Sequence, residues 1–244
     1  AVAAPVIAGV VAACGTWLVY RITQKVLARR REEGFRWGQI ATASLVALAH
    51  GTNDAQKTMG VMTLALLASG HWSDTHAVPW WVKVSAAMAI ALGAYLGGWR
   101  IIRTLGKGLT DVKPAQGFSA ETSTASTILA SSALGFALST TQVASGSILG
   151  SGVGRPGAHV RWSVAGRMVL AWLMTLPAAG LVGALMWFLA DGIGGLAGAL
   201  VVLALLIAGA VAMYVRSRHH QVTQHNVDEI WEGGPKVRKP SKIA

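Results

Sequence analysis

The sequence predicts an all-α polytopic membrane protein with about five transmembrane helices, one of them broken, plus a re-entrant helical hairpin. Of its 244 residues, 53% are hydrophobic and only 13% are charged, which is the composition of a membrane protein. Several apolar stretches approach the roughly 20 residues that cross a bilayer core of about 30 Å as a helix. We therefore expect one transmembrane domain over residues 1–215, followed by a flexible basic tail over residues 216–244.

Four of the expected spans are mainly apolar stretches, at residues 1–20, 80–105, 168–190 and 195–214. Trp80, Trp81 and Trp99 lie near the ends of the second of these, as tryptophan does at membrane interfaces. The remaining span lies within residues 39–67 and contains the polar run 50–57. Because Gly, Asn and Asp in this run form turns readily, we expect the helix to be broken there.

Residues 117–154 differ in composition from the other apolar stretches. These 38 residues include fourteen Ser or Thr and six Gly but only one charge, Glu121. A soluble loop of this length would carry more charges, whereas a lipid-facing helix would carry fewer hydroxyls. Ser139, Thr140 and Thr141 are residue types that commonly occupy the N-terminus of a helix. We therefore expect two short helices that meet inside the membrane, the second beginning at this hydroxyl cluster.

The positive charges independently predict that this segment is re-entrant. Of the 21 Lys and Arg, nineteen lie in four segments, at residues 21–36, 100–113, 155–167 and 216–242. Basic segments beside membrane spans favour the cytoplasmic side. All four can lie on that side only if the chain between Lys113 and Arg155 returns to the side that it left. The net charge of +11 thus indicates a multi-pass protein of the cell membrane, with cytoplasmic basic loops and tail, rather than a nucleic-acid-binding protein.

Asn53 and Asp54 lie in the polar run 50–57, which has apolar residues on both sides. Placing an ionisable side chain at membrane depth costs at least about 2.5 kcal/mol, so Asp54 predicts a functional site. The structural alternative is that Asp54 pairs with Lys57, three residues on, as a neutralised couple. His50 could carry a proton, although a lone histidine is more often a hydrogen-bonded packing residue.

Ser139, Thr140 and Thr141 would combine hydroxyl donors with the free N–H groups of a helix start, which favours the binding of an oxyanion. Elsewhere in the hairpin, the hydroxyls are adequately explained as helix-packing residues. Glu121 is the second candidate intramembrane carboxylate. Asp54 and Glu121 could serve a cation or proton while the hydroxyl triplet serves an anion, which together would make a symport site.

Five blocks of the sequence, in order, resemble the C-terminal half of the inorganic phosphate transporter (PiT) family. They are GTNDAQKTMG (51–60), GGWRIIRTLG (97–106), PAQGFSAE (114–121), LGFALSTTQVASGSILGSG (134–152) and AWLMTLPAAG (171–180). The similarity covers about residues 1–215. It implies an all-helical transporter of two inverted repeats, each with a broken helix and a re-entrant hairpin, driven by Na⁺ or H⁺. This chain would supply one repeat.

The same resemblance implies roles for individual residues. Asn53 and Asp54 would lie at the phosphate and cation site. The phosphate would be held by Ser139, Thr140 and Thr141, with Glu121 in the same network.

Two features depart from the family pattern. A second Asn-Asp motif and a second hydroxyl-rich hairpin are absent from the 244 residues, and no initiator Met is present. We therefore expect an N-terminally truncated fragment that lacks the other half of the transporter and would not transport alone. Gln142 stands where many members of the family carry His, which puts a proton-relay role at that position in doubt.

The sequence therefore predicts a cation-coupled inorganic phosphate transporter that works by alternating access, and not an enzyme. It needs no cofactor beyond the co-transported H⁺ or Na⁺, no resident metal, and no nucleic-acid partner. Its expected partners are phosphate, either free or as a metal complex, the lipid bilayer, and the missing N-terminal half. A carrier of sulfate or another oxyanion and a structural membrane subunit are the alternatives, and homo-oligomerisation is left open.

Overall fold

A computed structural model describes residues 3–218, and these residues form helices joined by loops and turns, with no strand among them. The helices are α1 (Ala3–Ile22), α2 (Ala28–Ala68), α3 (Trp80–Arg103), α4 (Pro114–Ala133), α5 (Thr140–Gly154), α6 (Trp162–Ile193) and α7 (Gly195–Arg218). The prediction of an all-α protein is confirmed. Of the predicted tail, residues 219–244 lie outside the described part of the chain.

Among the described residues, three helices are long and apolar enough to cross a membrane by themselves: α1, α6 and α7. A shorter apolar helical stretch, Trp80–Leu96, lies within α3. The remaining predicted span falls in α2, whose first two turns carry Arg and Glu side chains. The protein is therefore a membrane protein, while the expected number of five spans stays a prediction.

The predicted helical hairpin is confirmed as α4 and α5, joined by residues 134–139. Pro114 begins α4, a position at which the missing N–H of proline is not needed by the helix. At the turn, Gly135 adopts a φ of +78°, which favours glycine over other residues. Ser131 then closes the turn by donating its hydroxyl to the carbonyl oxygen of Phe136 at 2.7 Å. Ser139 is the N-cap of α5, as predicted, and accepts a hydrogen bond from the Gln142 N–H.

The predicted break in the second span is wrong, because α2 runs without interruption through residues 50–57. Gly and Asn lower helix stability by at most about 1 kcal/mol each, whereas an unpaired backbone group in hydrocarbon costs several kcal/mol. The Thr52 hydroxyl also donates a hydrogen bond to the Leu48 carbonyl oxygen, 2.9 Å away in the same helix. Most of the basic segment at residues 21–36 belongs to α2, which already begins at Ala28.

Helices α1 and α5 approach so closely that only glycine fits at three positions of α5. A Cβ atom at Gly146, Gly150 or Gly154 would collide with the backbone of Pro5, Gly9 or Ala13, respectively. Both sets are spaced by four residues, so each forms one stripe along its helix. Small residues at this spacing are typical of tightly packed membrane helices.

The N-terminus of α4 is capped by a carboxylate from another helix. The N–H of Ala115 donates to Oε2 of Glu32, on the first turns of α2, at 3.1 Å. Oε1 of the same carboxylate accepts the Tyr20 hydroxyl at 3.3 Å and forms an ion pair with Arg31 at 3.2 Å. Glu32 therefore ties the base of the hairpin to α1 and α2, and its charge lies at the positive end of the α4 dipole.

Replacing Glu32 by Ala is expected to lower the free energy of unfolding by about 1 kcal/mol, the usual value of a helix cap. Glu33→Ala is the matched control, because Glu33 makes an exposed pair with Arg29 four residues away on the same helix. Thermal unfolding of the purified protein in detergent measures both. Equal stabilities of the two variants would show that the cap does not hold the hairpin.

Residues 162–218 form a separate unit that contains α6 and α7. Pro177 lies inside α6, where it removes one backbone hydrogen bond. The predicted spans 168–190 and 195–214 leave residues 191–194 between them. In the structure α6 continues to Ile193, and Gly194, with a φ of +77°, separates it from α7.

Candidate functional site

Asn53 joins the middle of α2 to the turn of the hairpin. Its side chain is 1% exposed, and its amide Nδ2 donates to the carbonyl oxygen of Leu138 at 2.9 Å. Its Oδ1 accepts the hydroxyl of Ser132, from the last turn of α4, at 3.4 Å. Both ends of the amide are thus bonded to the hairpin. The structure therefore brings the two polar stretches singled out by the sequence, residues 50–57 and 139–141, into one place.

Asp54 lies at the centre of this polar cluster. Its Oδ2 accepts the Thr140 hydroxyl at 3.3 Å and lies 3.1 Å from Nε2 of His50. Its Oδ1 lies 3.0 Å from Nζ of Lys57 and accepts the Asn53 amide at 3.1 Å. About a third of the Asp54 side chain is exposed. The carboxylate is therefore held from both sides and remains accessible.

The structural alternative, a couple between Asp54 and Lys57, describes only part of this arrangement. The ion pair is present, but the Lys57 ammonium also donates to the Leu138 carbonyl oxygen, and the carboxylate has three further partners. A helix that needed only neutralisation of Asp54 would not require contacts from the hairpin.

Three residues of the cluster were not among the predicted site residues: His50, Lys57 and Ser132. The spacing of the first two, four residues before and three after Asp54, is the signal that places them on its face of a helix. From the sequence, Lys57 was expected only as a structural partner of Asp54 and His50 only as a possible proton carrier, and the break expected at residues 50–57 argued against one continuous helix face. For Ser132 the sequence offers no comparable signal.

The first turn of α5 presents hydroxyls and backbone N–H groups beside Asp54. Ser139 caps the helix, Thr140 is 5% exposed and directed at the carboxylate, and Thr141 is exposed. The unpaired N–H groups and the positive dipole end of a helix attract an oxyanion. An anion at this position would lie next to the Lys57 ammonium as well as the Asp54 carboxylate.

Glu121 is not part of this cluster. It accepts the Thr42 hydroxyl at 2.6 Å and the Gln39 amide at 3.4 Å, which bind it to an earlier part of α2. Thr42 and Asp54 are twelve residues apart on one helix, which corresponds to about 18 Å at the usual rise. The structure thus places the two predicted carboxylates in separate polar clusters along the same helix pair.

Comparison with known proteins identifies the family of the chain. The sequence profile described as the phosphate transporter family matches residues 1–183. A "Probable low-affinity inorganic phosphate transporter" of Mycobacterium tuberculosis (strain ATCC 25618 / H37Rv) is 61% identical over 234 residues, which are 96% of this chain and 56% of that protein. The protein of the same description in Bacillus subtilis (strain 168) is 40% identical over 155 residues, which are 64% of this chain and 46% of that protein. The chain thus spans about half the length of these relatives.

A solved structure shares the fold. "The sodium-dependent phosphate transporter" superposes with a TM-score of 0.53 over 72% of this chain and 53% of that one, at 24% sequence identity. At this identity the likeness supports the fold alone. With the profile match over residues 1–183, the family predicted from the five sequence blocks is confirmed: the chain belongs to the phosphate transporter family.

Proposed function

We propose that this chain provides half of the substrate site of an inorganic phosphate transporter that couples phosphate uptake to a cation and works by alternating access. The observation that carries the proposal is the junction of Asn53 and Asp54 with the N-terminus of α5. There, donors for an oxyanion and a carboxylate for a cation lie within one hydrogen-bonded cluster. The relatives described as phosphate transporters support the choice of phosphate.

The proposed coupling follows from electrostatics. The Lys57 ammonium offsets the charge of the Asp54 carboxylate, so the charge of a phosphate bound by Ser139, Thr140 and Thr141 would stay unbalanced unless a proton or a further cation accompanied it. Binding of the anion and entry of that proton or cation therefore favour each other. Movement of the anion together with H⁺ or Na⁺ is the expected consequence, with Glu121 as a separate carboxylate of the same helix pair.

The rest of the substrate site belongs to the proposal too. The relatives are about twice as long as the part of them that this chain matches. We propose that a complementary half-site comes from the remainder of such a full-length transporter, the N-terminal half expected from the sequence. The protein would lie in the cell membrane as a multi-pass protein, with its basic loops on the cytoplasmic side.

The test is uptake of radiolabelled phosphate by liposomes containing the full gene product, under separate Na⁺ and H⁺ gradients. Uptake is expected to follow one gradient, and labelled sulfate is expected to enter much more slowly. Equal uptake of sulfate would identify a general oxyanion carrier instead. No flux of either anion would favour the structural-subunit alternative.

Thr140→Ala and Thr141→Ala are each expected to raise the phosphate KM about fivefold, since one hydrogen bond contributes about 1 kcal/mol. Thr52→Ala is the matched control, because the Thr52 hydroxyl bonds to its own helix. A complete loss of turnover on removal of one threonine would contradict shared binding and would point to a nucleophile. Unchanged uptake in both variants would remove the hydroxyl triplet from the site.

A further inference from the structure

The Lys57 ammonium contacts two oxygen atoms that could serve as ligands of a cation. Its ammonium binds Oδ1 of Asp54 at 3.0 Å and the backbone carbonyl oxygen of Leu138, in the turn of the hairpin. A carboxylate and a backbone carbonyl beside an irregular segment are also the oxygen ligands that bind Na⁺ in secondary transporters. The positive charge of Lys57 is therefore placed where a free cation would find its ligands.

The surroundings of Lys57 place its charge beside the N-terminus of α5. Leu138 lies in the turn that precedes the N-cap of α5, and its carbonyl oxygen also accepts the Asn53 amide. The ammonium thus helps to hold the turn against α2, at the end of the helix that we propose binds phosphate. Its side chain is 38% exposed, so the position is open to other ions.

We propose that Lys57 acts as a tethered cation that replaces a coupling Na⁺ at this cluster and thereby excludes Na⁺ from it. The inference rests on the proposed phosphate transport. It concerns only which cation occupies this cluster. A Na⁺ bound to Asp54 Oδ1 and the Leu138 carbonyl would lie on the ammonium itself, so the two cations compete for one position. Phosphate uptake then needs no Na⁺ at this cluster, because the required positive charge is part of the chain.

Two substitutions of different size separate charge from volume. Lys57→Ala removes the ammonium and leaves space between Asp54 and the hairpin turn, whereas Lys57→Met removes the charge but fills much of that space. In choline buffer both variants are expected to take up phosphate about tenfold more slowly than the wild type, because the Asp54 charge loses its partner. Added Na⁺ is expected to restore Lys57→Ala to within about threefold of the wild type, to restore Lys57→Met much less, and to leave the wild type unchanged.

Lys83→Ala is the control, since Lys83 is an exposed residue in the first turns of α3. It should behave as the wild type in both buffers. If Na⁺ fails to restore Lys57→Ala, or restores Lys57→Met equally, the tethered-cation role is wrong and Lys57 is a direct phosphate ligand or a packing residue. A wild type that requires Na⁺ at this cluster would overturn the inference as well.

A binding measurement separates this inference from the proposed function. Thermal unfolding of the purified full-length protein is followed in NaCl and in choline chloride at equal ionic strength. Na⁺ is expected to raise the Tm of Lys57→Ala but not that of the wild type or of Lys57→Met. This pattern would support the tethered-cation role of Lys57 even if no phosphate flux were found. Phosphate uptake without this pattern would support the proposed transport and would contradict the role of Lys57.

Discussion

Asp54→Asn is expected to slow phosphate uptake by between about ten- and a hundredfold, which corresponds to roughly 1.4–2.8 kcal/mol. Asn has nearly the same shape and can still accept the Thr140 hydroxyl, so the substitution mainly removes charge. It leaves the Lys57 ammonium, 3.0 Å away, without its carboxylate. Breaking a fully buried pair would cost about 3–5 kcal/mol. The expected loss is smaller because about a third of the Asp54 side chain is exposed, so that solvent screens the charge that remains.

Initial rates of phosphate uptake in liposomes measure this effect, with Asp191→Asn as the matched control. Asp191 is an exposed residue near the end of α6 and should tolerate the same change. Equal Tm values for the wild type and Asp54→Asn would show that the loss is functional rather than a failure to fold. If Asp54→Asn did not affect uptake, the only remaining role for this carboxylate would be its structural ion pair with Lys57.

The hairpin was predictable because two kinds of information agreed. Hydroxyl-rich composition over residues 117–154 excluded an ordinary lipid-facing span, and the basic residues on both sides required the chain to return. Ser139 then marked the start of α5 through the local chemistry of a helix cap. Composition, charge counts and a helix cap each depend on neighbouring residues or on sums along the chain, so they can be read from one sequence without knowledge of the tertiary structure.

The continuity of α2 was not predictable from the same kind of signal. Gly51, Asn53 and Asp54 read locally as a turn, but the side chains of the latter two are bonded to the hairpin and to neighbours on α2. Because these polar side chains bond to partners in the hairpin, they do not compete for the hydrogen bonds of the α2 backbone. Those partners lie about 85 residues away in the sequence, so the outcome depends on tertiary structure.

The position of Glu121 shows the same limit. Composition marks it as an unusual carboxylate within the hairpin, but the shared network with Asp54 requires a register between α2 and α4. The observed register sets Glu121 against Thr42 and Gln39 instead. Registers between helices depend on close packing of particular side chains, and Gly117, which lies against Gln39, is one such contact. A role for Glu121 in coupling stays a prediction, now at a site of its own.

The crossing of α1 and α5 is expected to make Gly150→Ala one of the most destabilising small substitutions in the chain. The added Cβ would overlap the Gly9 carbonyl, which belongs to the backbone and cannot rotate away. Overpacking of this kind costs about 1–3 kcal/mol, more than the roughly 1 kcal/mol that Ala contributes over Gly to helix stability. The hairpin turn would shift with α5, so phosphate uptake should fall together with stability.

Two other glycines provide a graded comparison. A Cβ at Gly9 would lie 3.0 Å from the Gly146 carbonyl oxygen, which requires only a small adjustment, and a Cβ at Gly183 in α6 meets nothing within 4 Å. Unfolding in detergent, followed by tryptophan fluorescence, should therefore give the stability order Gly183→Ala, Gly9→Ala, Gly150→Ala, from highest to lowest. If Gly150→Ala were as stable as Gly183→Ala, helices α1 and α5 would have to lie farther apart than their backbone contacts at Gly9 and Gly150 place them. Packing against α1 would then no longer hold the Ser139–Thr141 cluster in its position beside Asp54.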